Sequence, residues 1–182
     1  MAETGQELKE EGMRLFHEGL YDEAVSKFEQ AREKFAAEEN EIEVAEAVNN
    51  LGVVYRLQDK WDEAIAALED ARATFSKLGD RNREAQTLGN LGGLYADKNE
   101  RDKAKESLRQ AADIFAELGD TERQGETLLA LGVQLWKTGD RSEGLATYET
   151  GLQILPQPTV KQKTVRNLLR MRNRLLGQKS SQ

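Results

Sequence analysis

Few side chains in this sequence are placed to do chemistry. The single histidine, His17, has no cysteine anywhere in the chain to join it, so a zinc site there would need distant carboxylates. Carboxylate pairs such as Glu10-Glu11 and Glu38-Glu39 recur. Acid–base work needs a carboxyl group tuned by burial, and these pairs fall on polar stretches. Gly89-Asn90-Leu91-Gly92-Gly93 is glycine-rich but does not form a phosphate loop. The residues therefore point to a protein that is not an enzyme and carries no metal or cofactor. Asn50 and Asn90 are different. They stand forty residues apart within apolar-periodic stretches, where asparagine is a mediocre helix former that competes with the backbone for hydrogen bonds. A carboxamide both donates and accepts, so it can hold a peptide bond whatever the side chain. The competing use of these asparagines is a bond to a neighbouring helix of the same protein.

The elements that position them follow from one period. Gly12, Gly52, Gly92 and Gly132 are forty residues apart, and six further columns keep step. These are Leu8/Val48/Leu88/Leu128, Leu15/Tyr55/Tyr95/Leu135, Ala24/Ala64/Ala104/Gly144, Phe28/Leu68/Leu108/Tyr148, Ala31/Ala71/Ala111/Gly151 and Phe35/Phe75/Phe115/Leu155. A fixed period of this length marks a stacked-repeat protein. Within a unit the columns fall three and four residues apart in two clusters, so each unit is two helices, A and B. Gly19, Asp59-Lys60, Asn99-Glu100 and Gly139-Asp140 mark the turn inside each unit. Leu78-Gly79-Asp80 and Leu118-Gly119-Asp120 mark the turn between units: glycine closes one helix and aspartate caps the next. In the first unit Asn40 takes the capping place. Glycine and alanine in the columns let helices approach closely, and a leucine at Gly52 would overpack that contact by roughly 1–3 kcal/mol.

Leu51-Gly52-Val53-Val54-Tyr55 with Trp61, Ala64, Leu68 and Ala71 resembles the tetratricopeptide repeat (TPR) family, as does Leu91-Gly92-Gly93-Leu94-Tyr95 with Ala104, Leu108 and Ala111. The resemblance covers about residues 5–155 and is looser in the first and fourth units. The period is 40 rather than the family's 34, and Leu-Gly-Asp replaces the helix-ending proline. Both departures are similar to the long-repeat subgroup of kinesin light chains and Pins-type adaptors. The resemblance implies an all-α, right-handed α-solenoid of four helix pairs, units about 5–40, 41–80, 81–120 and 121–155, closed by a C-terminal capping helix. A linker at 156–158, a basic amphipathic helix at 159–177 and a disordered tail at 178–182 complete the expected organisation.

It also implies a non-enzymatic adaptor whose A helices line a concave groove that binds an extended peptide segment of a partner protein. Carried onto this sequence, the groove residues are Lys9, Met13, Asn49, Asn50, Val53, Arg56, Gln86, Asn90 and Trp136. Gly89, Gly93 and Ala96 would open a hollow between them, and Trp136 is either a groove anchor or packed against the C-terminal helix. The carboxylate-holding pattern of chaperone-binding TPR domains is met at Lys9 and Asn50 only. Met13, Gln86 and Asn90 replace its other polar and cationic positions, which argues against that mode.

Charge divides the chain. The net charge is −7, but residues 1–155 carry −14 and residues 156–182 carry +7 with no acidic residue. Pro156 and Pro158 end the last B helix, and Thr159 is placed to cap a helix running to about Leu176 and closed by Gly177. On that helix Val165, Leu168, Leu169, Leu175 and Leu176 share an apolar face, and Lys163, Arg166, Arg170 and Arg174 a basic one. The first reading of this helix is a cap on the stack. The alternative is a tether to an anionic surface: an acidic protein, a lipid or a nucleic acid. Nucleic acid is the weakest of these, because no aromatic residue lies in the segment and the body is acidic. No run of residues reaches the length of an apolar membrane span, and the acidic start does not look like a secretory signal. A cytoplasmic protein is expected, with self-association through the ends of the stack a further possibility.

Overall fold

The computed structural model describes residues 3–179, with side chains up to Met171. Among the described residues there are nine helices and no strand. They are α1 (Gly5–Glu18), α2 (Tyr21–Ala37), α3 (Glu41–Leu57), α4 (Trp61–Leu78), α5 (Arg81–Asp97), α6 (Arg101–Glu117), α7 (Thr121–Thr138), α8 (Arg141–Ile154) and α9 (Val160–Lys179). The architecture is the all-α helix-pair repeat of a TPR-type α-solenoid. Two compact units divide it, α1–α5 and α6–α9, and the division falls inside the third repeat. Within each unit every helix packs on the next.

The turns explain why the helices end where they do. All seven turns from α1 to α8 close in the same way, on one residue in the left-handed conformation. These residues are Gly19, Glu39, Asp59, Gly79, Asn99, Gly119 and Gly139. In each turn the following N–H reaches back five residues, as Asp80 N to the Phe75 carbonyl at 2.9 Å and Lys60 N to the Tyr55 carbonyl at 3.0 Å. This is the Schellman closure, which satisfies carbonyls left over at a helix end. Aspartate and asparagine tolerate the left-handed region and glutamate does so poorly, so Glu39 is the strained member. Side-chain caps are found on helices in the A register. Thr4, Asn40, Asp80 and Asp120 accept from backbone N–H groups of α1, α3, α5 and α7, whereas α2, α4 and α8 have no side-chain cap.

The columns form the core. All of their residues are buried except Tyr55, Leu128 and Tyr148, which are half-buried. In the first unit Leu15, Ala24 and Phe28 meet Leu51 and Val54 of α3, and Leu8 meets Ala31 and Phe35. In the second unit Leu108 packs on Leu131 and Leu135. A β-carbon on Gly52 would stand 2.7 Å from Leu68 Cγ. Between α7 and α8 the approach is closer in kind: a β-carbon on Gly132 would stand 2.7 Å from the Gly144 carbonyl oxygen, backbone that cannot turn aside.

The C-terminal helix differs from its sequence reading. Thr159 and Gln162 do form the expected cap, Gln162 N donating to Thr159 Oγ1 at 3.3 Å and Thr159 N to Gln162 Oε1 at 2.7 Å. The helix runs on through Gly177 to Lys179. Its inner line is Val165, Arg166 and Leu169, and Leu168, expected on that face, is 57 % exposed. Arg166, expected on the outer basic face, is turned inward: its Nη1 donates to the Leu152 carbonyl at 3.4 Å, and its Nε is buried without a partner. That carbonyl belongs to the last turn of α8, where carbonyls lack intrahelical donors and a cation is favoured. The side chains of Arg172, Arg174, Leu175 and Leu176 and the last three residues of the expected tail lie outside the described residues.

Candidate functional site

The residues expected from the sequence to line a groove lie, in the first unit, on three helices of the A register: α1, α3 and α5. A charge network links these helices. Lys9 of α1 donates to Glu43 Oε2 at 2.5 Å and to Glu46 Oε1 at 3.4 Å, both on α3. Arg83 of α5 reaches Glu46 Oε2 at 2.7 Å and Asp80 Oδ2 at 2.8 Å. Burial works against the charge on Asp80, but hydrogen bonds from the Arg83 amide and guanidinium outweigh it and hold its pKa below the ordinary value. The same partnership with Asp80, opposed by burial and helped by Glu46, raises the pKa of Arg83. Lys9 is 13 % exposed, sits over the Phe35 ring and is matched by two carboxylates. It is therefore a structural cation in this unit, with little capacity for a partner's carboxylate.

Between α3 and α5 a cavity of about 350 Å³ opens, lined by Glu46, Asn49, Asn50, Phe75, Asn82, Arg83, Gln86 and Thr87. Three sequence-derived groove residues, Asn49, Asn50 and Gln86, meet here. Their roles differ. The Asn49 carbonyl oxygen accepts from Thr87 Oγ1 at 3.1 Å and from Asn90 Nδ2 at 3.2 Å. Thr87 is almost fully buried, and its single hydroxyl proton is shared between Asn49 Oδ1 and the Arg83 carbonyl oxygen, 2.9 Å away. Asn49 is thus the rivet between α3 and α5, and Asn90 is engaged by it. Asn50 makes no hydrogen bond to any described residue, and its carboxamide stands half-buried at the cavity wall. Gln86 is exposed and donates to Asn82.

The remaining residues expected in a groove are placed as follows. Met13 is exposed and Val53 half-buried. Arg56 is bound to Asp97 of α5, Nη2 to Oδ2 at 2.6 Å and Nε to Oδ2 at 2.7 Å. Its guanidinium lies where a side chain on Gly93 would go, 2.5 Å from a β-carbon there. The hollow expected at Gly93 is therefore filled by Arg56; a β-carbon at Gly89 meets nothing. Trp136 belongs to the second unit. It is 51 % exposed, with the Arg141 guanidinium carbon 5.7 Å from its ring centre. On α9, Lys163 and Arg170 are exposed, and Arg166 is withdrawn from that basic surface.

Sequence reasoning missed Thr87, Asn82 and Arg83. A usable signal existed: Lys9, Glu46 and Arg83 are spaced by 37 residues with alternating charge. Pairs between successive A helices join one residue to another nearly a turn earlier in register, so they fall off the forty-residue columns. His17 is exposed at the end of α1. Among the described residues no group of histidine, cysteine, aspartate or glutamate is arranged to hold a metal ion. No helix of the described residues is long and apolar enough to cross a membrane.

The tetratricopeptide repeat profile matches residues 12–77 and 43–117, more than half of the chain. The chain belongs to that family. No curated protein matches the sequence. Among solved structures it resembles BtubC (BKLC) from P. vanneervenii, with a TM-score of 0.76 and 24% identity over 85% of this chain and 67% of that one. It also resembles aspartyl phosphate phosphatase F from Bacillus subtilis, with a TM-score of 0.79 and 12% identity over 82% and 39%. A Rap protein complexed with competence and sporulation factor gives a TM-score of 0.70 and 21% identity over 82% and 42%. The chain spans about two fifths of the last two proteins. These likenesses define the fold.

Proposed function

We propose that this protein is a non-enzymatic adaptor that binds an extended peptide segment of a partner protein in the α3–α5 cleft. The observation that carries this is the contrast between two adjacent carboxamides. Asn49 is held by Thr87 and Asn90, while Asn50 faces the cavity with donor and acceptor both open. A half-buried carboxamide without partners gains net stabilisation of about 0.5–1.5 kcal/mol per hydrogen bond when a peptide backbone supplies them. The cavity wall is polar, as suits main-chain recognition, and Gln86 and Asn82 extend it. Membership of a repeat family built for surface contacts supports the reading, as does a structural neighbour solved with a bound factor. The aspartyl phosphate phosphatase activity of one structural neighbour is not part of this proposal. Here the carboxylates around the cleft are engaged in ion pairs, and His17 lies exposed at the end of α1.

The test is a display library of extended peptides selected on the full chain, followed by titration of the enriched sequences. Asn50→Ala should weaken binding about two- to tenfold with unchanged thermal unfolding. Peptides that bind the variant as tightly as the parent would overturn the assignment.

A further inference from the structure

The second unit holds a different cleft, independent of the one above. Val133, Trp136 and Lys137 of α7 and Leu145 and Tyr148 of α8 surround a cavity of about 280 Å³ floored by Gly132 and Gly144. The first repeat shows what normally occupies such a place. The equivalent residues forward of its own glycine, Phe16, Val25 and Phe28, are covered by α3 through Leu51, Val54 and Tyr55. Phe28 is 1 % exposed as a result, and Phe16 is half-buried. In the second unit Tyr148, in the column of Phe28, is only half-buried, and Trp136, in register with Phe16, is exposed. The described contacts of α9 on α8 lie further along, where Arg166 and Leu169 meet Glu149, Leu152 and Gln153. The cleft is therefore helix-shaped, and among the described side chains none covers its apolar wall, where Trp136 is 51 % and Val133 40 % exposed.

Its rim is cationic. Lys137 has no ion-pair partner among the described residues, and Arg141 is engaged only with the Trp136 ring. The acids beside them are already matched: Asp140 lies 3.5 Å from Lys105 and Glu143 lies 3.1 Å from Arg109. A second copy's α9 is a poor occupant, because it would bring a segment of charge +7 to a cationic rim. We propose that the α7–α8 cleft docks an amphipathic helix of a partner protein, with an apolar stripe on Trp136 and Tyr148 and carboxylates opposite Lys137 and Arg141. This is a second interaction surface, distinct in chemistry from the main-chain contacts of the α3–α5 cleft.

The experiment is a display library of amphipathic helices with a fixed leucine stripe and flanks randomised among Asp, Glu, Lys and Arg, selected on the full chain. Enrichment of acidic flanks is expected. Binding of the enriched helices should fall about tenfold or more for Trp136→Ser and for Lys137→Glu combined with Arg141→Glu. These positions are exposed, and circular dichroism should show the variants folded. In a Trp61→Phe background the emission of Trp136 should shift to the blue on binding. Binding should be unchanged by Asn50→Ala, which separates this cleft from the first. Enrichment without acidic bias, enrichment that survives Trp136→Ser, or no enrichment would overturn the proposal. So would a Trp136 shift caused by vesicles of phosphatidylcholine with 30 mol% phosphatidylglycerol but not by the helices, which would make the occupant a lipid surface.

Discussion

The α3–α5 cleft and the α7–α8 cleft use register-related helix faces for opposite chemistry. In the first, Glu46, Arg83, Asn49 and Thr87 close a polar network and leave one carboxamide open. In the second, paired glycines bring backbones together and leave Trp136 and Tyr148 facing solvent. The difference teaches that the repeat constrains only the residues between helices. Column residues are held by packing, so they recur. Wall residues pair, where they pair, between successive A helices and off the columns, so different repeats can carry a hydrogen-bonding surface and an apolar one on one scaffold.

The comparison can be broken most severely at the glycines. Gly132→Ala should cost about 1–3 kcal/mol by urea unfolding, because its β-carbon meets the Gly144 carbonyl and the Tyr148 N–H, both backbone. Gly12→Ala should cost less, since its neighbour is the Phe28 ring, which can shift. Equal losses would show that the α7–α8 contact is no tighter than the α1–α2 contact.

Next comes the rivet. Asn49→Ala should lower stability by about 1 kcal/mol, because the amide of half-buried Asn90 loses its acceptor while the Thr87 hydroxyl keeps the Arg83 carbonyl. Asn50→Ala should lie within about 0.5 kcal/mol of the parent. If the two variants unfold alike, the distinction between a structural and a functional asparagine fails.

A smaller effect is expected from pH. Folding lowers the pKa of Asp80, so its carboxylate adds stability that is fully present above the unfolded value near 3.8 and is lost as pH falls through the lower folded value. Asp80→Asn keeps a cap on α5 but loses the charge. The stability gap between parent and variant, measured by circular dichroism, should be constant above about pH 5 and shrink below pH 4. A gap that does not change with pH would remove the Arg83 pair from the account. The smallest change is Glu39→Gly, which should raise stability by up to about 1 kcal/mol by relieving a left-handed glutamate. No gain in thermal midpoint would mean that this turn carries no strain.

Much of the fold was legible because it is local. Gly79-Asp80 and Gly119-Asp120 close one helix and cap the next within five residues, and the columns follow a period visible along the chain. The candidate site was legible only in part. Asn49, Asn50 and Gln86 do meet at one cavity, but Lys9 and Arg56, read as groove cations, are committed to Glu43 and Asp97. Arg166, read as an outward charge, turns to the end of α8 because an unmatched carbonyl there accepts it.

The sequence by itself determined the period, the two helices of each repeat, the left-handed turns and the residues packed between helices. Helix propensity, capping and hydrophobic spacing act over a few residues and repeat with the chain. The tertiary structure alone decided which of two adjacent asparagines is free, which cations are already paired, and which apolar wall lacks a cover. Those outcomes depend on partners 34 to 41 residues away, one repeat along the chain, where a single turn of helix rotation changes the partner.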